Sequence, residues 1–329
     1  MTMYTGTEAE HKQERAFTLN RELIMKLAPL LSLILLCAFF SIGSPYFLSV
    51  DNLMTIALQT AVIGIMAIGV TYVIITAGID LSLGSVMAFS GVCAGIAATS
   101  GIPLAISIMI GIAAATACGM VSGALVTKAG IPPFIATLGL MMSVRGLNMV
   151  LTDGRAIYFL DYPVFRMLAH GKLFDVIPYP VIYLAVVAFI AAYILRRTVF
   201  GRYIYAVGSN EEAARLSGIN VQRVKLMVYT FCGLLTGIAG LILAARLNSG
   251  QPSAGVSYEL EAIAAVVIGG TSLAGGIGTI GGTVIGAFIM SVLKNGLNLM
   301  GVSQFWQMVA TGAVVVAAVY LDNLRKRSV

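Results

Sequence analysis

Few side chains in this sequence could make or break a covalent bond. The two histidines, His11 and His170, stand alone in polar segments, and the four cysteines (Cys37, Cys93, Cys118, Cys232) all fall in apolar runs without metal-ligand or disulfide spacing. No His/Asp/Glu cluster or activated nucleophile pattern occurs, and G-x-x-x-x-G-K-[ST] is absent, so the chain carries no phosphate loop of its own. What remains is binding chemistry. One group is the contiguous segment GSNEEAARLSGIN at 208–220; the other is a scatter of polar residues among apolar neighbours, namely Gln59, Thr60, Asp80, Arg145, Asn148, Asn295 and Asn298.

The segment at 208–220 is punctuated as a short helix. Ser209 or Asn210 can accept a hydrogen bond from a free backbone N–H of the first turn. Glu211 and Glu212 place negative charge at the positive end of the dipole, and Ala213 and Ala214 favour helix. Arg215 stands near the negative end, Leu216 follows it, and Gly218 can take the left-handed conformation that stops the helix. A helix this short is marginal in water on its own and needs a surface to pack against. A headgroup-lying helix would prefer a basic polar face with bulky apolar anchors. A helix led by two glutamates and faced with alanine suits a protein partner better.

The scattered polar residues must be positioned by membrane spans. The chain has 329 residues, 59% hydrophobic and 10% charged, with a mean hydropathy of +0.95. Soluble domains carry roughly 25% charged residues, so the membrane lipid must be the main solvent, and the alternating pattern of a transmembrane barrel is absent. Breaks at Gly, Pro and charge predict ten helical spans, at 27–42, 54–76, 81–98, 103–126, 133–151, 178–195, 224–245, 261–273, 280–297 and 305–321. The apolar run after the polar first 26 residues lacks a small-residue cleavage site, so the first span is expected to stay as an anchor.

With both termini in the cytoplasm, the inside segments hold 14 of the 20 Lys and Arg residues, which an odd span count would not achieve. The net charge of +6 therefore belongs to the cytoplasmic face, and nothing points to nucleic acid. The expected organisation is a cytoplasmic tail at 1–26, a membrane domain at 27–322 with a cytoplasmic loop at 196–223, and a cytoplasmic tail at 323–329. GIDLSLGSV at 78–86 can be laid on GIGTIGGTV at 276–284, a faint echo between two halves; Gly-interrupted segments in corresponding positions mark transport pathways.

Asp80 is expected to cap a helix starting at Leu81 by accepting from the N–H of Ser82 or Leu83, to line a pathway, or both. Arg145, midway along the fifth span, either snorkels outward, pairs with an acid such as Glu261, or faces the pathway. Glu259 and Glu261 suit the N-terminus of the eighth span. Gln59, Thr60, Asn148, Asn295 and Asn298 offer the neutral amide and hydroxyl groups that an uncharged hydroxylated substrate would want, though buried amides also simply bond across helices. The segment 153–178 is long for a helix connection; it reads equally as a docking surface or as an ordinary solvated loop.

EAA followed by x3-G at 212–218 resembles the loop by which membrane subunits of ABC importers engage their ATPase. GRYIYAVGSNEEAARLSGINV (201–221), AGIDLSLGS (77–85), PPFIATLG (132–139), SYELEAIAAVVIGGTSLAGG (257–276) and KNGLNL (294–299) are similar to the monosaccharide, ribose-type branch of these permeases. The I-x-L-P tail of the wider pattern is missing after Gly218, which separates the chain from maltose-type permeases. The resemblance implies a non-enzymatic permease subunit of the bacterial inner membrane, importing ribose or a related sugar or cyclitol. It further implies a second permease copy, a cytoplasmic ATP-binding subunit that carries ATP and Mg, and a periplasmic sugar-binding protein; this chain itself would bind no cofactor or metal. Asn210, Glu211, Glu212, Ala213, Ala214, Arg215, Leu216 and Gly218 would then form the coupling helix. The alternative class is an ion-coupled secondary transporter, for which Asp80 and Arg145 are the only titratable groups worth testing.

Overall fold

The computed structural model describes residues 27–159 and 161–327, with backbone alone for 321 and 323–327. The expected N-terminal tail, 1–26, with His11, lies outside the described residues, as do 328 and 329. The elements run α1 (Leu27–Gly43), α2 (Val50–Ile75), α3 (Leu83–Thr99), α4 (Leu104–Thr127), α5 (Pro133–Thr152), β1 (Ile157–Tyr158), α6 (Pro163–His170), β2 (Lys172–Leu173) and β3 (Ile177–Pro178). They continue with α7 (Tyr179–Arg197), α8 (Val199–Ser209), α9 (Glu211–Leu216), α10 (Val221–Leu247), β4 (Ser249–Gly250), α11 (Tyr258–Ile268), α12 (Ile280–Leu299) and α13 (Gln304–Arg327).

Helix dominates because apolar runs of this length, placed in lipid, must satisfy every backbone group internally. Starts are marked locally: Ser49 accepts from the N–H of Asn52 before α2, Pro133 opens α5, and Thr279 accepts from the N–H of Gly282 before α12. α2 and α10 form the centre and are buried along most of their length, whereas α4, α5 and α7 expose most of theirs. α4 and α10 run antiparallel in close contact because glycines face each other, Gly119 lying against Gly233 and the Tyr229 carbonyl, and Gly237 against Ala115.

The bundle has two distinguishable ends. At one, α8 and α9 sit beside the end of α2 and the turn before α12, where the N–H of Gly276 donates to the Ile75 carbonyl over 2.9 Å. At the far end β1 pairs antiparallel with β4, and α6 packs onto α10, with Phe159 and Phe165 stacked at 4.0 Å. The segment between α5 and α7 is thus folded, with β2 and β3 closing a small hairpin.

Among the described residues, six helices are long and apolar enough to cross a membrane: α2, α4, α5, α7, α10 and α12. Shorter apolar helices are α1, α3 and Gln304–Tyr320 of α13. The expected eighth span, 261–273, needs correction. α11 has only 11 residues, about 16 Å of helix against a ~30 Å hydrocarbon core. It stops because Gly269 lies against the backbone of Gly282 and Gly270 turns to φ +91°.

Two of the shorter helices, α3 and α11, are each preceded by irregular backbone. The Tyr229 hydroxyl reaches the Ile79 carbonyl over 3.1 Å, and Gly240 lies against Met87, so α3 begins beside the middle of α10. From β4 at the far end, 251–257 descends until Gly255 touches Gly84, and α11 continues to the α9 end. The starts of α3 and α11 meet in the middle of the bundle.

Candidate functional site

α9 is built as its punctuation requires. Asn210, not Ser209, is the cap, its Oδ1 accepting from the N–H of Ala213 over 2.9 Å; Ser209 is the last residue of α8. At the other end the N–H of Ile219 donates to the Ala214 carbonyl and that of Gly218 to Arg215, with Gly218 at φ +83°. These paired bonds satisfy carbonyls that the helix leaves free. Glu211 meets Lys225 of α10 at 2.5 Å and Arg215 at 3.5 Å, and Glu212 meets Arg215 at 3.4 Å. Ala214 is buried, so the inner face is anchored, while Glu212, Ala213 and Leu216 face outward, Leu216 being 82% exposed.

α8 fastens this outward helix to the bundle, and sequence reasoning missed it. Phe200, Ile204, Val207 and Gly208 fall on one face at helical spacing, a signal that was available. Ile204, Val207 and Gly208 are buried. Gly208 packs so closely on the Ile75 carbonyl and Gly276 that a Cβ there would overlap them. The Tyr205 hydroxyl donates to the Gly278 carbonyl over 2.7 Å; burial pushes this phenol up from its ordinary value, partly offset by Arg196, so it stays a donor. α9 is thereby joined through α8 to the end of α2 and the start of α12.

The second candidate region is a cavity of about 320 Å³ in the far-end half of the bundle. Gln59 of α2, Arg246 of α10, Gln251, Tyr258 of α11 and Lys294 of α12 give it polar groups, and Val62, Ile63, Leu243 and Leu247 give it apolar walls. Gln59 Oε1 is buried without a hydrogen-bond partner. Lys294 is ion-paired to the buried Glu261 at 2.6 Å and lies 5.2 Å from the centre of the Tyr258 ring.

The other expected pathway residues are not brought into this cavity. Thr60 is buried and returns its hydroxyl proton to the Ile56 carbonyl of its own helix. Asn148 is buried and donates to the Ser85 carbonyl at 3.1 Å, tying α5 to α3. Asn295 donates to Asn52 at 2.9 Å, and Asn298 is exposed. Asp80, 2% exposed, accepts from both the N–H and the hydroxyl of Ser82, at 2.9 and 2.6 Å. The expected Ser82 partner is there, but α3 starts at Leu83, not Leu81, because 78–82 stay non-helical where Tyr229 holds the Ile79 carbonyl.

Arg145 does not pair with Glu261. Its Nη1 donates to the carbonyls of Ala254 at 2.6 Å and Pro252 at 3.3 Å, and the carboxylate of Glu259 lies close enough to act on it electrostatically. It clamps the 251–257 turn that forms the floor of the cavity. Glu259 and Glu261 do fall in the first turn of α11, where negative charge is favoured. Of the cavity residues not singled out from sequence, Lys294 is the most open to detection, as a cation five residues before the end of an apolar helix.

A membrane bundle with a capped, outward helix at one end and a polar cavity toward the other has the build of a transport permease. Residues 52–319 match the family described as branched-chain amino acid transport system / permease component, and the chain belongs to that family. Among individual relatives it is 45% identical to the ribose import permease protein RbsC of Escherichia coli (strain K12), over 92% of this chain and 95% of that one. It is 47% identical to the ribose import permease protein RbsC of Bacillus subtilis (strain 168), over 93% and 94%. Identity to the xylose transport system permease protein XylH of Haemophilus influenzae is 36%, over 91% of this chain and 96% of that one.

Proposed function

We propose that this chain is the membrane permease subunit of an ATP-driven importer for a monosaccharide, ribose first and a related sugar or cyclitol next. The observation that carries the substrate class is the identity of 45–47% to ribose import permeases across nearly the full length of both chains, against 36% to a xylose permease. ATP and Mg belong on a separate cytoplasmic subunit, and a sugar-binding protein delivers the substrate on the other side. Two permease copies, each with pseudo-repeated halves and ten crossings, form the pathway. The α9 end is the cytoplasmic face of the inner membrane, where the basic segment from Arg196 to Lys225 gathers.

In this reading Asn210, Glu211, Glu212, Ala213, Ala214, Arg215, Leu216 and Gly218 form the coupling helix. Its outward face docks on the ATPase, and closure of that partner is passed through α8 to the end of α2 and the turn before α12. Support comes from the anchored inner face, the exposed Leu216 and the contacts of Gly208 and Tyr205. The test is the double variant Glu212→Lys, Gly218→Asp, which should insert normally yet lose both the co-purifying ATPase and ribose uptake. Normal uptake by that variant would remove the coupling role.

A further inference from the structure

We infer that the small hairpin before α7 is a lipid anchor. Its turn, led by Phe174, sits in the headgroup layer on the far-end side of the bilayer, with Lys172 and Arg166 on the phosphates of anionic lipids. The place follows from the chain. α7 has 19 residues, about 28 Å of helix and close to a ~30 Å hydrocarbon core, so its start marks the edge of that core. β3 runs directly into that start, where the N–H of Tyr179 donates to the Gly171 carbonyl over 2.9 Å. Phe174 stands four residues before Pro178, within about 13 Å of the edge at strand spacing.

The turn is built in a strained form. The N–H of Val176 donates to the Leu173 carbonyl over 3.2 Å, and the two residues between them, Phe174 and Asp175, stand at φ +53° and +55°. Asn-Gly is the usual pair in such a turn, and a bulky aromatic side chain is unfavourable there. Packing within the chain does not offset the strain, since Phe174 is 85% exposed and Val176 54%. The interfacial layer of a bilayer does, because aromatic rings are favoured in it. Lipid fits better than a soluble partner because the hairpin leads into α7, a span that is itself mostly exposed, Phe189 at 74%. Lys172 in the hairpin and Arg166 on α6, both exposed, supply cations, against Asp175 as the one acid of the hairpin. Basic residues beside bulky apolar anchors are what a headgroup layer attracts, a combination that α9 lacks.

The experiment uses the full chain in lipid nanodiscs, carrying Phe174→Trp in a Trp306→Phe background so that the introduced indole is the only one. Its emission should lie well to the blue of tryptophan in water. Lipids brominated near the headgroup end of the acyl chain should quench it more than lipids brominated near the methyl end. Replacing part of the phosphatidylcholine by phosphatidylglycerol should strengthen the quenching, and Lys172→Gln with Arg166→Gln should abolish that gain. Val176→Trp in the same background repeats the reading with Phe174 in place, so a turn disturbed by the first variant does not decide the outcome. Water-like emission that neither brominated lipid quenches, in both variants, would overturn the anchor. So would emission that moves to the blue only when a sugar-loaded binding protein is added, which would make the tip a protein contact. Quenching indifferent to phosphatidylglycerol would overturn the roles of Lys172 and Arg166.

Discussion

Two glutamate–lysine pairs of nearly equal length stand in opposite surroundings. Glu211–Lys225 spans 2.5 Å at the α9 end with the Glu211 side chain 44% exposed, whereas Glu261–Lys294 spans 2.6 Å with that of Glu261 only 6% exposed. Distance alone would rank them equal. In water the attraction is screened and its loss costs little; in the interior a stranded carboxylate has nowhere to go. The first pair can open and close at little cost because water takes up the Glu211 charge. The second fixes α11 to α12 and holds Lys294 in the cavity.

The largest effect is expected from Lys294→Met, which leaves Glu261 buried and unpaired. Stability should fall by about 3 kcal/mol, the low end for breaking a buried pair, since Lys294 is partly open to the cavity. Adding Glu261→Gln should restore most of that stability, read by thermal unfolding in detergent. Equal stability of single and double variants would mean the pair is no stronger than a surface one. Arg145→Met comes next: losing charge-assisted bonds to two carbonyls should cost about 2 kcal/mol and loosen the floor turn, visible as faster protease cleavage within 251–257. Unchanged cleavage would show that the turn holds without the clamp.

Asn210→Ala should cost about 1 kcal/mol of local helix stability and weaken retention of the ATPase, with little change in global unfolding. The smallest effect belongs to Lys225→Met: the Lys225 side chain is only 19% exposed, but the Glu211 it leaves behind is 44% exposed and water can take up its charge, so the loss should be about 1 kcal/mol with thermal unfolding little moved. A loss as large as that of Lys294→Met would erase the contrast between the two pairs.

The two regions also differ in how far their residues disclose them. The α9 segment is local: cap, acidic start, basic end and stop glycine lie within nine residues from Asn210 to Gly218, and backbone rules operate at that range. The cavity is assembled from Gln59 to Lys294, so only Gln59 emerged as a candidate, and Arg246, Gln251, Tyr258 and Lys294 became neighbours only through packing. The eighth span, at 261–273 already short in the sequence, extends past the end of α11 because the apolar run continues through Leu273. Hydropathy does not register that Gly269 and Gly270 end the helix by closing on Gly282. Arg145 was recognisable as an intramembrane cation, but its partners are carbonyls of a distant turn, which composition cannot name.

The most direct measurement is radiolabelled ribose uptake into proteoliposomes holding this chain, the ATPase and the sugar-binding protein, with ATP or a proton gradient supplied separately. Uptake that requires ATP and both partners, and that a protonophore leaves intact, is the predicted result. Uptake by the chain alone, driven by the gradient and abolished by the protonophore, would contradict the account and turn attention to Asp80 and Arg145.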